Sequence, residues 1–132
     1  MPTTRIHHLN NDLLSVTTVR TESAWVITVS GEVDLDTADP LRLTLEAASS
    51  PRQPLPVLLN LRGVRFGGSA LVNLLLRARS SLGPDRLTLA DPAPRVIRLL
   101  RLTGLDAHFE VGPRPAAARA EPDSVAKVTY RP

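Results

Sequence analysis

The sequence predicts an α/β domain in which helices pack on a mixed central β-sheet of four to five strands. The chain length, the hydrophobic content and the order of apolar patterns all support this fold class. The chain has 132 residues, of which 42% are hydrophobic and 22% are charged, and this suits one compact domain with its own core. Short strand-like runs alternate with amphipathic helical segments, an order typical of a sheet covered by helices.

The predicted domain spans residues 14–111 and opens with two strands. Residues 14–20 and 25–30 alternate between apolar and polar side chains, as half-buried strands do. The preceding residues 1–13 are polar and lack such a period. We therefore expect them to form a flexible N-terminal segment.

The first predicted helix follows the second strand. Asp36 or Thr37 is expected to cap its N-terminus, because both side chains can accept hydrogen bonds from free backbone N–H groups. Leu41, Leu45 and Ala48 recur at helical spacing and form its predicted inward stripe.

Strands and helices alternate further along the chain. Strands are predicted at residues 57–61, 86–90 and 108–111, and helices at 69–82 and 92–103. The first of these strands is a continuous apolar run, as expected of a strand covered on both faces.

The C-terminal segment differs in composition from the predicted domain. Residues 112–132 are rich in Pro and Ala and show little periodicity. We predict a mostly mobile tail, in which residues 125–130 could add a weak edge strand.

Charge and cysteine content exclude several classes of function. The net charge is +3, and residues 112–132 hold four basic and two acidic residues, which leaves only +1 for the rest of the chain. A nucleic-acid-binding face needs more concentrated positive charge, so we expect no direct nucleic-acid partner. The chain has no cysteine, which excludes disulfides, thiol nucleophiles and Cys-ligated metals.

The sequence carries no recognisable catalytic constellation. His7 and His8 lie in the N-terminal segment and His108 lies near the last predicted strand, so no metal-ligand spacing connects them. The Gly-x-Ser-x-Gly elbow of hydrolases is absent. We expect no enzymatic activity, no cofactor and no metal. Because no signal region or membrane-length apolar run is present, we expect a cytoplasmic protein without a membrane partner.

A glycine-spaced segment raises the question of a phosphate site. Gly63–Gly68 is predicted as a loop between a strand and a helix, and it matches the outer spacing of the G-x-x-x-x-G phosphate loop. Ser69 and Ala70 stand where such a loop has the Lys and the Ser or Thr that bind phosphate and magnesium. A small phosphate- or nucleotide-binding protein that uses this loop is one alternative.

Ser69 is a candidate both for capping and for modification. It stands at a predicted helix start after two glycines, where its hydroxyl is expected to be accessible. As an N-cap it would accept a hydrogen bond from a backbone N–H group. A phosphate there would add close to two negative charges at a helix end that favours negative charge. The residues alone leave both roles open.

Three acidic residues alternate across the junction between the second strand and the first helix. Glu32, Asp34 and Asp36 fit a charged recognition loop. Acids at such a junction are also commonly solvated or cap the following helix, and this second interpretation stays open.

Three segments of the sequence resemble the STAS-domain anti-sigma factor antagonists, also called anti-anti-sigma factors. Residues 31–38, GEVDLDTA, are similar to the G-E-L-D motif and the Thr-Ala that follows it in the family. Residues 59–69, LNLRGVRFGGS, resemble the D-L-S-G-V-x-F-x-D-S-S-G-L segment. Residues 87–109 resemble the family's strand, its N-P-S-P-x-V helix and its L-T-G-L-D ending. The match spans about residues 14–111 in the correct order.

The resemblance implies a STAS fold and a switch protein without catalysis. Members of the family bind an anti-sigma factor, usually a serine protein kinase of the histidine-kinase-like ATPase fold, and thereby free a sigma factor for transcription in bacteria. The resemblance implies phosphorylation of Ser69. The partner-binding residues that we predict with it are Glu32, Asp34, Asp36, Gly67, Gly68, Ser69, Ala70 and Asn73.

Three positions depart from the family's motif. Gly68 stands where the family has Asp, Ala70 where it has the second Ser, and Leu71 where it has Gly. The missing Asp removes negative charge beside the predicted phosphate acceptor. These departures favour a second alternative, a STAS scaffold subunit of a signalling complex that has lost phosphorylation.

Overall fold

The computed structural model describes residues 5–11, 13–49, 55–83 and 85–112, in which six strands and three helices form. In chain order the elements are β1 (Arg5–Asn10), β2 (Leu14–Arg20), β3 (Trp25–Val33), α1 (Asp39–Ala48), β4 (Val57–Gly67), α2 (Ser69–Leu82), β5 (Leu87–Ala90), α3 (Pro94–Leu102) and β6 (Glu110–Gly112). The strands form one sheet in the order β1-β2-β3-β4-β5-β6. β1, β2 and β3 pair antiparallel, whereas β3 to β6 pair parallel. The predicted α/β fold with a mixed sheet is confirmed, with one more strand than expected.

The additional strand is β1, which lies in the segment predicted to be flexible. It pairs antiparallel with β2, with Ile6 opposite Val19 and Leu9 opposite Val16. The prediction of a flexible segment is therefore wrong for this strand. An edge strand is held by backbone pairing on one side only, so its side chains need not follow the strict alternation that sequence analysis detects.

The helices bury their apolar stripes against the sheet. Leu41, Leu45 and Ala48 of α1 are all buried, as predicted. Fully buried side chains of β3, β4 and β5 continue this core, namely Ile27, Val29, Leu59, Leu61, Leu87 and Leu89. Each such side chain contributes roughly 1.5–3 kcal/mol when it leaves water, so this layer is the main source of stability.

The N-terminus of α1 differs from the prediction. Ala38 is the N-cap, and no side-chain hydrogen bond caps this helix. Asp36 and Thr37 lie just before it and shape the turn after β3 instead. Pro40 occupies the first turn, where its fixed φ favours the helix and its missing N–H removes no intrahelical hydrogen bond.

β4 continues to Gly67, whereas the sequence analysis ended this strand at Leu61. Residues 63–67 of the predicted loop are therefore strand, and only Gly68 separates β4 from α2. β3 is also longer than predicted, and its last residue, Val33, lies opposite Gly67. A phosphate loop needs unpaired backbone N–H groups, but this segment pairs with β3. The phosphate- or nucleotide-binding interpretation therefore lacks the loop on which it was based.

The remaining elements lie close to their predicted positions. α2 spans the predicted residues 69–82, and β6 covers residues 110–112 instead of 108–111. Shifts of this size at the ends of elements are ordinary. The predicted tail begins at residue 112, but Gly112 is the last residue of β6. Residues 113–132, with the weak strand predicted at 125–130, lie outside the described residues.

A small network of ion pairs lies on the solvent face of α1. The Arg42 guanidinium contacts the carboxylates of Asp39 at 3.3 Å and Glu46 at 3.1 Å. Its hydrogen bonds to Asp39 and then to Glu46 raise the pKa of Arg42 above its ordinary value. Exposed pairs of this kind contribute little to stability, so they mainly orient the three side chains.

Candidate functional site

The parallel pairing of β3 and β4 brings two predicted site segments together. Glu32 lies opposite Phe66, and Val33 lies opposite Gly67. Both strands end at the same edge of the sheet, because parallel strands run in one direction. The acidic turn after β3 therefore lies beside the junction between β4 and α2.

Hydrogen bonds of Asp34 and Thr37 fix the turn after β3. The Asp34 carboxylate accepts hydrogen bonds from the backbone N–H groups of Asp36 at 2.9 Å and Thr37 at 3.1 Å. The Thr37 hydroxyl donates to the Glu32 carbonyl at 2.6 Å and accepts from the Asp34 N–H at 3.0 Å. The turn is thus closed from both ends. The Asp34 carboxylate is occupied by hydrogen bonds within this turn. The Asp36 side chain, in contrast, is exposed.

Asn11 supports the same turn from the loop between β1 and β2. Its side-chain amide donates to the Thr37 carbonyl at 3.1 Å, and its oxygen accepts from the N–H groups of Leu13 and Leu14 at 2.9 and 2.8 Å. The Glu32 N–H also donates to the Leu13 carbonyl at 2.9 Å. The sequence analysis missed Asn11 because it assigned the residue to a flexible segment.

Ser69 is exposed and is the first residue of α2. The N-cap of this helix is Gly68, and no side-chain hydrogen bond caps it, so the capping role predicted for Ser69 is wrong. The first turn of α2 also holds no acidic residue. Its backbone N–H groups therefore remain available to a negative charge at this helix end.

Gly67 and Gly68, the two residues before Ser69, differ in the space available for a side chain. A Cβ at Gly67 would lie 2.7 Å from Cδ2 of Leu71, which is fully buried. A side chain at residue 67 would therefore force the buried Leu71 side chain to shift. A Cβ at Gly68 would have no atom within 4 Å, so the space beside this residue is open.

The α2 residues of the predicted site divide between surface and core. Ala70 is only 7% exposed and packs inward. Asn73 is exposed one turn after Ser69, and Leu76 is exposed one turn later. Residues three and four positions apart share one helix face, so Ser69, Asn73 and Leu76 form a continuous strip.

A family model described as "Mlab, STAS domain" matches residues 16–112, which is most of the chain. The chain belongs to the STAS-domain family. A comparison with curated protein sequences gives no match.

Solved structures share the fold of this STAS domain. An anti-sigma factor antagonist from Mycobacterium paratuberculosis is similar with a TM-score of 0.69 at 25% identity, over 85% of this chain and 97% of that chain. An anti-sigma-factor antagonist (STAS) domain protein from Planctomyces limnophilus gives 0.63 at 21%, over 92% and 97%. The anti-sigma factor antagonist SpoIIAA in its unphosphorylated form gives 0.59 at 19%, over 96% of each chain.

The acidic turn of this STAS domain also carries an exposed leucine that the sequence analysis missed. Leu35 is 84% exposed between Asp34 and Asp36. Leu13, whose carbonyl accepts a hydrogen bond from the Glu32 N–H, is also 44% exposed. A leucine between two acids in a predicted junction is the signal that could have found it. The surface beside Ser69 thus combines acidic and apolar groups.

The described residues of this STAS domain contain no group of three or more His, Cys, Asp or Glu that could hold a metal ion. The His8 ring lies 3.1 Å from the Thr17 hydroxyl, far along the chain from the exposed His108. None of the helices in these residues is long and apolar enough to cross a membrane.

Proposed function

We propose that this STAS domain is an anti-sigma factor antagonist of the bacterial cytoplasm, a binding module that captures an anti-sigma factor and so releases a sigma factor. The observation that carries the proposal is the exposed Ser69 hydroxyl beside the ordered acidic turn, on an edge of the sheet formed by two parallel strands. The similarity to the M. paratuberculosis anti-sigma factor antagonist supports it.

The chemistry of this surface suits recognition of a protein. Glu32 and Asp36 supply negative charge, and Leu35 in the same turn supplies an exposed apolar group. Interfaces commonly combine an apolar anchor with a charged rim that sets orientation and association rate. The partner surface that fits here is an apolar patch beside basic side chains, and we propose that it belongs to a kinase-type anti-sigma factor.

Phosphorylation of Ser69 would reverse this binding by placing charge against the apolar patch of the partner, where it has no basic side chain to pair with. A phosphate carries close to two negative charges, and the acidic turn lies nearby. The free N–H groups at the start of α2 favour negative charge there, so the fold tolerates the phosphate while the docked complex does not.

The second candidate is a STAS scaffold subunit that is not phosphorylated. Ala70 and Leu71 favour it, because they stand where the family has polar or small motif residues and both are buried. Gly68 leaves the site without the family's acidic residue. This candidate shares the docking surface with the first and differs only in lacking the switch.

Calorimetry with a candidate anti-sigma factor from the same host tests both proposals. We expect Ser69→Ala to retain affinity and Ser69→Asp to lose at least about tenfold, roughly 1.4 kcal/mol. Ser23→Asp is the matched control, because Ser23 is exposed in the turn between β2 and β3, at the other end of β3. Equal affinity for all the Ser69 forms would overturn the switch.

The two candidates separate when ATP is added to the complex. Intact-mass spectrometry should detect phosphate on the wild type and none on Ser69→Ala if the switch operates, and the complex should dissociate. A complex that persists in ATP without added mass supports the scaffold. Failure of every candidate anti-sigma factor to bind would overturn the antagonist function itself.

A further inference from the structure

The sheet edge that carries the acidic turn also carries exposed arginines on the other side of β4. β5 stops pairing with β4 at Asn60, and the start of α3 takes the adjacent position. The Ala93 N–H donates to the Leu61 carbonyl at 3.4 Å, and the Arg95 guanidinium donates to the Arg65 carbonyl. The acidic turn follows β3, on the opposite side of β4. Two strand spacings, roughly 10 Å, therefore separate the turn from the start of α3.

Three arginines form the basic group of this edge, namely Arg65, Arg95 and Arg98. All three are exposed, and Arg98 lies one turn after Arg95 on the same face of α3. An arginine has five N–H donors, so Arg95 can bind a carboxylate in addition to the Arg65 carbonyl. α3 contains no acidic residue. Asp91, the acidic residue just before it, already pairs with Arg62 at 3.3 Å.

The acidic group of this edge consists of Glu32 and Asp36. Asp36 is exposed and Glu32 is half-buried, and the neighbouring Leu35 is 84% exposed. None of the ion pairs among the described residues involves the acidic group or the three arginines. Both groups are therefore available to charges on another molecule.

We propose that this edge binds a second copy of the chain in a two-fold symmetric dimer. Both halves of a complementary surface are present on one chain, side by side. A two-fold rotation places the acidic group of each copy against the basic group of the other, so every charge contact forms twice. Leu35 of each copy packs against the aliphatic stems of the facing arginines, which are apolar up to the guanidinium.

The dimer is expected to be weak and sensitive to salt. The contact is confined to one edge, so we expect a Kd on the order of 100 µM at low ionic strength. Screening by 0.5 M NaCl should weaken it at least about tenfold, because the contacting charges are exposed. This inference does not rest on the proposed function. The dimer would use the same edge as an anti-sigma factor, so the two associations would compete.

Sedimentation equilibrium of the full chain tests the dimer without any partner protein. We expect a monomer–dimer equilibrium at low ionic strength and mostly monomer in 0.5 M NaCl. A monomer at every concentration up to about 1 mM, or an affinity that salt does not change, would overturn the proposal. Association beyond the dimer would contradict the two-fold arrangement, because a head-to-tail contact does not stop at two copies. Failure of the dimer leaves the antagonist proposal unaffected, since the experiment contains no anti-sigma factor.

Charge reversal separates the proposed contacts from other modes of association. Asp36→Arg and Arg98→Glu each place like charges face to face, and we expect each variant to dimerise at least about tenfold more weakly. An equal mixture of the two restores opposite charges at both contacts, so it should dimerise nearly as well as the wild type. Asp85→Arg and Arg77→Glu are the matched controls, because both residues are exposed outside this edge and the changes in charge are the same. A mixture that stays monomeric, or equal losses in the controls, would contradict the proposal.

Discussion

The turn after β3 and the junction before α2 face the same surface but are held by different means. Asp34, Thr37 and Asn11 fix the turn with side-chain hydrogen bonds of 3.1 Å or less. The junction has no side-chain cap and is formed by Gly68 alone. The difference indicates that the acidic turn is held in one place, whereas no side-chain hydrogen bond caps the helix that Ser69 begins. In the proposed function, a turn that is already ordered would lower the ordering cost of binding.

The largest expected effect on stability comes from replacing Gly31, which lies in β3 shortly before the acidic turn. Gly31 has a φ of +117°, and a Cβ there would overlap the Leu13 carbonyl oxygen, a backbone atom that cannot rotate away. We expect Gly31→Ala to lower the free energy of unfolding by about 3 kcal/mol or more, measured by urea denaturation. Gly104→Ala is the control, because its φ is +73° but the space around it is open. Its loss should be about 1 kcal/mol. Equal losses would contradict the role given to the Leu13 contact.

An intermediate loss of stability is expected when the Thr37 hydroxyl, which closes the turn after β3, is removed. Thr37→Val leaves the Asp34 N–H and the Glu32 carbonyl without their partner, and we expect a loss of about 2 kcal/mol. Thr37→Ser keeps the hydroxyl and should lose no more than about 1 kcal/mol. Thermal unfolding of the two variants compares them. If Thr37→Val is as stable as the wild type, the turn is not held as described.

The smallest effect on stability is expected at Gly68, in the junction between β4 and α2. Here the substitution should stabilise the fold. Gly68→Asp adds an acceptor and a negative charge at the start of α2, in space that no atom occupies within 4 Å. We expect a gain of about 0.5 kcal/mol in the free energy of unfolding. Gly67→Asp, with Leu71 Cδ2 only 2.7 Å from its Cβ, should destabilise instead. A destabilised Gly68→Asp variant would show that the junction is less open than its geometry indicates.

The parts of the fold that were predictable depend on strong local patterns. α2 was predicted with its full extent because Leu71, Leu74, Leu75 and Ala78 recur at helical spacing, and all four are buried. β1 and the second half of β4 escaped prediction because pairing with a neighbouring strand, and not local sequence, determines them. Gly63 illustrates this, since it favours a loop locally but pairs with Ser30 in the sheet.

The sequence predicted most residues of the candidate site. It did not predict the strand register or the hydrogen bonds that bring them together. The sequence places Glu32 and Ser69 in two separate motifs, and only the register of β3 with β4 shows that these motifs are neighbours. The roles of Asn11 and Thr37 depend on contacts that cross loops, one of them spanning 26 positions. No local pattern encodes such contacts.

The strand order has a consequence for how the domain is made. Each strand lies beside the one that precedes it in the chain, and none is inserted between two earlier ones. A chain that leaves the ribosome N-terminus first can therefore extend the sheet by docking every new strand on a growing edge. Both halves of the candidate site are already synthesised once α2 has emerged, before β5 and β6 complete the sheet.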